Sequence, residues 1–151
     1  MTAQINGDKV VGVLRSFYKN IGENKMLKKI EIKNISGDVL YSHECEDNTI
    51  KITLEKAIKE GVYLRGADLR FSDLSFSNLS DCDLSDCDLS GSDLRFSNLT
   101  DTDLRFSDLS DINFSGCNLS GCDLSHSDLS FSNLSGCDLS GCNLIGILQS
   151  L

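Results

Sequence analysis

The chain has 151 residues, a formal net charge of −9, seven cysteines and no proline. Its length suits one domain, with or without a small appendage. It contains no run of about 18 apolar residues, and its first nine residues lack a basic stretch followed by an apolar one, so we expect neither a membrane-spanning helix nor a secretory signal. The odd cysteine count and the missing signal favour free thiols in a reducing cytoplasm.

The charge is unevenly distributed. Residues 1–60 carry ten Lys or Arg against nine Asp or Glu, whereas residues 61–151 carry four Arg against fourteen Asp. Binding to nucleic acid phosphates or anionic lipids requires clustered Lys and Arg. The acidic half therefore argues against nucleic acid or a membrane as a direct partner.

The first segment, residues 1–25, is predicted to be an N-terminal extension. Within it, residues 8–20 have a helical spacing of apolar residues, with Asp8 as a plausible cap. Met26 opens the next segment.

Residues 26–61 predict a β-hairpin followed by a helix. Lys28–Lys33 alternates like a half-buried strand, Asn34–Asp38 contains a glycine turn, and Val39–Tyr41 forms the return strand. Residues 50–52 suggest a third short strand. Thr53 then suits a helix N-cap, and Gly61 suits the end of that helix. Leu54, Ala57 and Ile58 share one helix face, which we expect to cover the beginning of the adjoining C-terminal segment.

A five-residue repeat begins directly after this helix and runs without insertion. A large apolar residue stands at every fifth position, preceded by Asp or Asn in sixteen of seventeen cases and, two places before, mainly by Ser, Cys, Thr or Ala. The large apolar residues are Leu64, Leu69, Leu74, Leu79, Leu84, Leu89, Leu94, Leu99, Leu104, Leu109, Phe114, Leu119, Leu124, Leu129, Leu134, Leu139 and Leu144.

A period of five fits neither a helix nor a strand, and it is too regular for disorder. We interpret each pentad as one side and one turn of a coil. The large residue and the small residue two places before it point inward. Because the small place is so often Ser or Cys, the interior is predicted to be unusually polar, and each buried Ser must find a backbone acceptor.

Segments such as Gly66–Arg70 and Ser92–Phe96 resemble the A(D/N)LXX motif of the pentapeptide-repeat family. The resemblance covers residues 62–146. It implies an all-β fold, a right-handed quadrilateral parallel β-helix of about four coils with four pentads per coil, here with a small N-terminal α+β cap. Residues 147–151 are then a short C-terminal tail or cap, whose apolar start either covers the last coil or joins a second molecule as a homodimer.

The chain is not expected to be an enzyme or to hold a cofactor or metal. His43 and His126 are isolated, no catalytic triad is suggested, and each glycine occurs singly. The cysteines are best explained as small apolar residues filling the inward place. If a coil has twenty residues, Cys117 would stack on Cys137, and Cys122 on Cys142.

Function is therefore expected at the outward places. We interpret the chain as a cytoplasmic protein-interaction or scaffold module whose partner is another protein. The candidate partner surface comprises Phe71, Phe76, Phe96, Phe106, Phe131, Asp83, Asp88 and Asp103. The alternative for the phenylalanines is that stacked rings stabilise the solenoid wall. The family resemblance also implies an alternative function, a DNA-mimicking inhibitor or protector of DNA gyrase or topoisomerase IV.

Overall fold

The computed structural model describes residues 18–21 and 25–148. Strands β1 (Tyr18–Ile21), β2 (Lys25–Asn34) and β3 (Val39–Glu46) are followed by helix α1 (Ile50–Lys59) and by the two-residue strand β4 (Ala67–Asp68). Beyond β4 the chain forms regular turns joined by single β-bridges.

The β2–β3 hairpin forms at the predicted position, where a segment of alternating polar and apolar residues is followed by a turn. The two strands pair antiparallel, from Leu27 opposite Glu46 to Lys33 opposite Val39. In the connecting loop the Asn34 side-chain oxygen accepts hydrogen bonds from the backbone N–H groups of Ser36 and Asp38. An Asn at the first position of a turn is favoured because its side chain replaces a backbone partner in this way.

The predicted helix over residues 8–20 is wrong at its C-terminal end. Residues 8–17 lie outside the described residues, but Tyr18–Ile21 is strand β1, paired antiparallel with the first residues of β2. The free edge of β2 offers backbone hydrogen bonds to this segment, and tertiary pairing of that kind overrides a local helical pattern.

Helix α1 begins earlier than predicted. Residues 50–52, expected to be a strand, form its first turn, and the N-cap is Thr49, whose side chain accepts the Ile52 N–H at 3.1 Å. The predicted cap, Thr53, is buried and donates to Asn48 instead. The two isoleucines suggested β-structure, but Thr49 provides the capping oxygen that starts a helix. In the described part of the chain, no helix is long and apolar enough to cross a membrane.

The hairpin and the helix both join the first repeats. Strand β4 pairs with the end of β2, placing Asp68 opposite Lys33. From α1, the Lys51 ammonium donates to the Ser75 carbonyl at 2.8 Å, and the Glu55 carboxylate accepts the Asn78 N–H at 2.9 Å. Leu54 and Ala57 are fully buried in the same apolar cluster as the leucines of the repeats. Helix α1 thus packs against the first repeats.

Within residues 25–148, thirteen parallel β-bridges join the repeats, each between residues twenty positions apart. A separation of twenty corresponds to four pentads. The bridges form four ladders, which we name by their first members: the Asp68 ladder (Asp68, Asp88, Asp108, Asp128, Leu148), the Asp73 ladder (Asp73, Asp93, Asn113, Asn133), the Asn78 ladder (Asn78, Asn98, Asn118, Asp138) and the Asp83 ladder (Asp83, Asp103, Asp123, Asn143).

The large apolar residues fill the interior. Those from Leu64 to Leu124, Phe114 included, are at most 1% exposed. The small inward residues contact the coil before them through hydrogen bonds: the hydroxyls of Ser97, Thr102 and Ser107 each donate to a leucine carbonyl twenty-three residues earlier, at 2.7 to 2.8 Å. The buried serines therefore find the backbone acceptors that the sequence requires of them. Among the described residues, only the buried Ser72 hydroxyl has no partner.

The repeat continues past its predicted end. Leu148, expected to lie in the tail, bridges Asp128, and its carbonyl accepts the Leu129 N–H at 2.8 Å. Burial decreases in this last coil, where Leu134 and Leu139 are half-buried and Leu144 is 41% exposed. The described residues thus leave the core partly open at the C-terminal end.

Candidate interaction surface

The corner of each pentad, two places after the large residue, has a left-handed backbone. All seventeen corners, from residue 66 to residue 146, have φ between 55° and 74°. Glycine adopts this conformation freely and Asp tolerates it, but for a bulky residue such as Phe it costs about 1–2 kcal/mol. Five corners nevertheless carry phenylalanine: Phe71, Phe76, Phe96, Phe106 and Phe131.

The corners form four rows along the rod, again with a spacing of twenty. We name them the Gly66 row (Gly66, Asp86, Phe106, His126, Gly146), the Phe71 row (Phe71, Gly91, Asp111, Phe131), the Phe76 row (Phe76, Phe96, Gly116, Gly136) and the Asp81 row (Asp81, Asp101, Gly121, Gly141). In chain order, each ladder lies between two rows. The Asp68 ladder, for example, lies between the Gly66 row and the Phe71 row.

Aromatic rings stack along these rows. Phe76 and Phe96 are 5.3 Å apart between ring centroids, and Phe106 and His126 are 5.1 Å apart with nearly parallel planes. The corner twenty residues after a phenylalanine is often glycine, because the ring lies over that corner. A Cβ on Gly91, for example, would lie only 2.6 Å from the Phe71 ring.

Stacking alone does not account for the phenylalanines. The five rings remain between 57% and 72% exposed, so each buries roughly a third of its surface, which contributes about 1.5 kcal/mol at the usual 25 cal/mol per Å². The left-handed backbone costs about the same amount. A phenylalanine at a corner therefore adds little net stability to the rod, while it leaves apolar surface in water.

The outward aspartates have a local structural role. The Asp108 Oδ1 atom accepts both the N–H and the hydroxyl of Ser110, and asparagines make the same pair of bonds, as Asn118 does with Ser120. Either residue therefore supports the turn. The choice between Asp and Asn changes mainly the charge of the surface.

Three of the arginines make close ion pairs with an aspartate two residues before them, and two of these pairs lower the pKa of the aspartate. The Arg95 guanidinium lies 2.6 Å from Asp93, and its hydrogen bond lowers the pKa of that carboxyl. Arg105 lowers the pKa of Asp103 in the same way. Arg70 binds Asp68 and reaches Asp88 at 3.3 Å. After Arg105 the sequence contains no Lys or Arg.

The negative charge lies mainly on one side of the rod. Eleven of the fourteen aspartates of residues 61–151 belong to the Asp68 and Asp83 ladders and the three corner rows that border them. Three remain for the other side, which carries mostly asparagine: Asp73, Asp93 and Asp138. We call the first side the acidic side and the second the asparagine side.

The structure brings together only part of the predicted partner surface. Asp83, Asp88 and Asp103 lie on the acidic side with Phe106, and the Phe71 row borders this side, placing Phe71 and Phe131 at its edge. The Phe76–Phe96 stack lies on the asparagine side, opposite Phe106. Sequence reasoning missed His126, which continues the aromatic stack of Phe106; a spacing of twenty from Phe106 is the signal that could have found it.

The cysteines do not form a site of their own. Burial raises the pKa of the thiols of Cys82, Cys87 and Cys122 to about 12 and that of Cys117 to about 11. Thiols with a pKa this high are largely protonated at neutral pH and are weak nucleophiles. No three His, Cys, Asp or Glu side chains in the described ranges are grouped as metal ligands would be.

The repeat pattern matches a known family. The family described as Pentapeptide repeats (8 copies) matches residues 53–86, 77–116 and 107–146, which together exceed half of the chain. The chain belongs to the pentapeptide repeat family. No curated protein sequence matches it.

Several solved pentapeptide repeat structures are similar to part of the chain. HetL, involved in heterocyst differentiation regulation in the cyanobacterium Nostoc sp. strain PCC 7120, is 30% identical over 50% of this chain and 38% of its own, with a TM-score of 0.30. The alr5209 protein of Nostoc PCC 7120 is 24% identical over 68% of this chain and 96% of its own, with a TM-score of 0.36. QnrB1, a plasmid-mediated fluoroquinolone resistance protein, is 18% identical over 52% of this chain and 58% of its own, with a TM-score of 0.20. The chain thus spans 38% of the length of HetL and between 58% and 67% of the QnrB1 structures.

Proposed function

We propose that this pentapeptide repeat protein is a non-catalytic interaction module that binds another protein through its outward corners and ladders in the cytoplasm. The observation that carries the proposal is the set of exposed phenylalanines held at left-handed corners, where they add little to the stability of the rod. Bulky residues in sparsely populated backbone conformations are concentrated at functional positions.

The proposed architecture suits this role. We infer a right-handed, four-sided β-helix of about four coils, closed at its N-terminal end by the β2–β3 hairpin and α1. The twenty-residue bridges and the leucines at every fifth place support it. An interior filled with leucine leaves the outer surface as the place for recognition, and a solenoid is rigid enough to present that surface without rearrangement.

The test is capture of partner proteins from the source cell on the immobilised full chain. The double variant Phe106→Asn/Phe131→Asn removes two rings at the acidic side, and Phe76→Asn/Phe96→Asn removes two rings at the asparagine side. Asparagine tolerates the left-handed backbone, so both variants should fold. We expect one pair of substitutions to abolish capture of a given protein and the other to leave it unchanged. Identical captured proteins for the wild type and both variants would contradict the proposal.

A second candidate function is inhibition or protection of DNA gyrase or topoisomerase IV by mimicry of DNA. The net charge of −10 over residues 61–151, from four Arg and fourteen Asp, favours it. The concentration of this negative charge on one side argues against DNA mimicry, because duplex DNA carries phosphates all around its axis. A supercoiling assay with purified gyrase tests the candidate. Unchanged supercoiling at tens of micromolar protein, both with and without a fluoroquinolone, would eliminate it.

We also propose that the C-terminal end forms a homodimer. Leu144, Ile145 and Leu148 are exposed there, and within the described residues the N–H groups of Leu134 and Leu139 have no backbone partner. Sedimentation velocity should show a dimer for the full chain and a monomer for Leu148→Lys, whose charge would be buried in the contact. Val39→Lys in β3, at an exposed position away from this end, is the control. A full chain that stays monomeric at ~100 µM, or a Leu148→Lys variant that stays dimeric, would refute this contact.

A further inference from the structure

Arginine neutralises only the beginning of the Asp68 ladder on the acidic side. Asp108 and Asp128 make no ion pair with Lys or Arg among the described residues, whereas Asp68 is held by Arg70. Asp88 precedes them on the same ladder and is only partly shared with Arg70, at 3.3 Å. Three successive carboxylates of the Asp68 ladder are therefore available to a cation from outside.

Aromatic rings border these three carboxylates on both sides. The Phe106–His126 stack lies on the Gly66 row along one margin, and Phe131, 72% exposed, lies on the Phe71 row along the other. The strip of carboxylates thus has the stacked rings of Phe106 and His126 along one margin and Gly91, Asp111 and the exposed ring of Phe131 along the other. A Lys or Arg side chain suits such a strip because its aliphatic stem packs on apolar groups while its charged head binds the carboxylate.

The spacing of the carboxylates discriminates between partners. Neighbouring members of a ladder are about 4.8 Å apart, so Asp88, Asp108 and Asp128 span about 9.6 Å. A helix with a basic residue on each turn repeats about every 5.4 Å and spans about 10.8 Å over the same interval. An extended strand repeats its side chains about every 6.7 Å on one face and spans about 13.4 Å. Over the three carboxylates the helix is too long by about 1.2 Å and the strand by about 3.8 Å. Flexible Lys and Arg side chains therefore fit the carboxylates better from a helix than from a strand.

We propose, on the basis of the interaction function above, that this strip binds a basic amphipathic helix of a partner protein, lying parallel to the rod axis with one Lys or Arg per turn. Strong negative charge on the strip disfavours a second copy of the same strip and nucleic acid, because both would bring like charge against it. The rings of Phe106 and Phe131 contact aliphatic residues on either side of the basic stripe of the helix.

The experiment measures fluorescence anisotropy of synthetic peptides mixed with the full chain. The probe is an alanine-based helical peptide with arginine on every turn of one face and leucine beside it. Two further peptides have the same arginine content, one with arginine scattered around the helix and one alternating arginine with valine and threonine. We expect the first peptide to bind at least about fivefold more tightly than the other two, with binding that weakens as salt is raised. Equal binding of all three would overturn the proposal.

Two matched variants distinguish binding by this strip from a general effect of the net charge of the protein. Asp108→Asn/Asp128→Asn removes two charges from the strip, and Asp73→Asn/Asp138→Asn removes two from the asparagine side. Each of these aspartates accepts the N–H two residues on, a bond that asparagine also makes, so both variants keep their turns. We expect at least about a fivefold loss of peptide affinity for the first variant and less than about a twofold loss for the second. Equal losses would overturn the proposal.

Failure of this inference can be distinguished from failure of the interaction function. If the helical peptide does not bind at ~1 mM, but the phenylalanine variants still change which proteins are captured, the basic-helix partner is excluded and the interaction module stands. If neither experiment responds to substitution, both proposals fall.

Discussion

At the scale of single residues, the inward small place decides how well each coil bonds to the previous one. Ser107 and Ser72 occupy this place and are equally buried, but Ser107 donates to the Leu84 carbonyl, whereas the Ser72 hydroxyl has no partner. No pentad stands twenty-three residues before Ser72, so Ser72 lacks the acceptor that Ser107 uses, and its hydroxyl does not bond to the carbonyl three residues earlier as that of Ser77 does.

The two serines should therefore respond oppositely to alanine. Ser107→Ala removes a hydrogen bond and should lower the free energy of unfolding by about 1 kcal/mol. Ser72→Ala removes an unsatisfied buried hydroxyl and should raise the free energy of unfolding by up to about 1 kcal/mol. Urea denaturation followed by circular dichroism measures both. Destabilisation of similar size at both positions would show that Ser72 has a partner after all.

Leucine at the large inward place should not tolerate charge. Leu99 is fully buried between neighbouring coils, so Leu99→Asp places a carboxylate in the apolar core of the repeats. We expect loss of cooperative unfolding and of the β circular dichroism signal. Asn98→Asp adds the same charge one residue earlier, at an outward place, and should leave the melting temperature within a few degrees. A Leu99→Asp variant that melts like the wild type would contradict the inward assignment.

At the scale of elements, helix α1, which packs against the first repeats, depends on the residue that caps its N-terminus. Thr49 accepts the Ile52 N–H, and α1 contacts the first repeats through Lys51, Glu55 and the buried Leu54. Thr49→Ala should destabilise the protein by about 1 kcal/mol, because it leaves an N–H group of the first turn without a partner. Thr49→Ser keeps the capping oxygen and should cost much less. The melting temperatures of the two variants, measured side by side, check this prediction. Equal decreases in melting temperature would argue against Thr49 as the N-cap.

The elements also show what the sequence could predict. The leucines at every fifth place identified the repeats and the family, and the family is confirmed by the match over residues 53–146. The strand predicted at residues 50–52 was wrong because the β-propensity of Ile50 and Ile52 is visible in the sequence, whereas the contact of α1 with the first repeats is not. The concentration of aspartate on one side was also hidden. It becomes visible only when residues twenty apart are aligned, and the sequence alone supports a separation of five equally well.

At the scale of the whole molecule, the ion pairs predict an acid response. The hydrogen bond from Arg105 lowers the folded-state pKa of Asp103, so this pair stabilises the protein above the unfolded pKa of about 4, and the contribution is lost as the pH falls through the lowered value. Arg105→Gln should be only slightly less stable than the wild type at neutral pH, since the pair is partly exposed, and should lose less stability than the wild type between about pH 5 and pH 2.

The control for this pH dependence is Lys51→Gln, which removes a positive charge that donates to a carbonyl and not to a carboxylate. It should shift the stability curve downward without changing its slope at acidic pH. If Arg105→Gln and the wild type lose the same stability on acidification, the Arg105–Asp103 pair does not contribute to folding.

The hydrogen bonds between coils join residues about twenty apart in the chain and run along the rod axis. Tension applied at the two ends of the repeats would therefore pull directly along these bonds and separate them a few at a time. Each released coil would add about 65 Å of extended chain. In single-molecule force spectroscopy the repeats should lengthen in small steps at low force, because only a few hydrogen bonds break at a time. The repeats would in this way yield gradually under load.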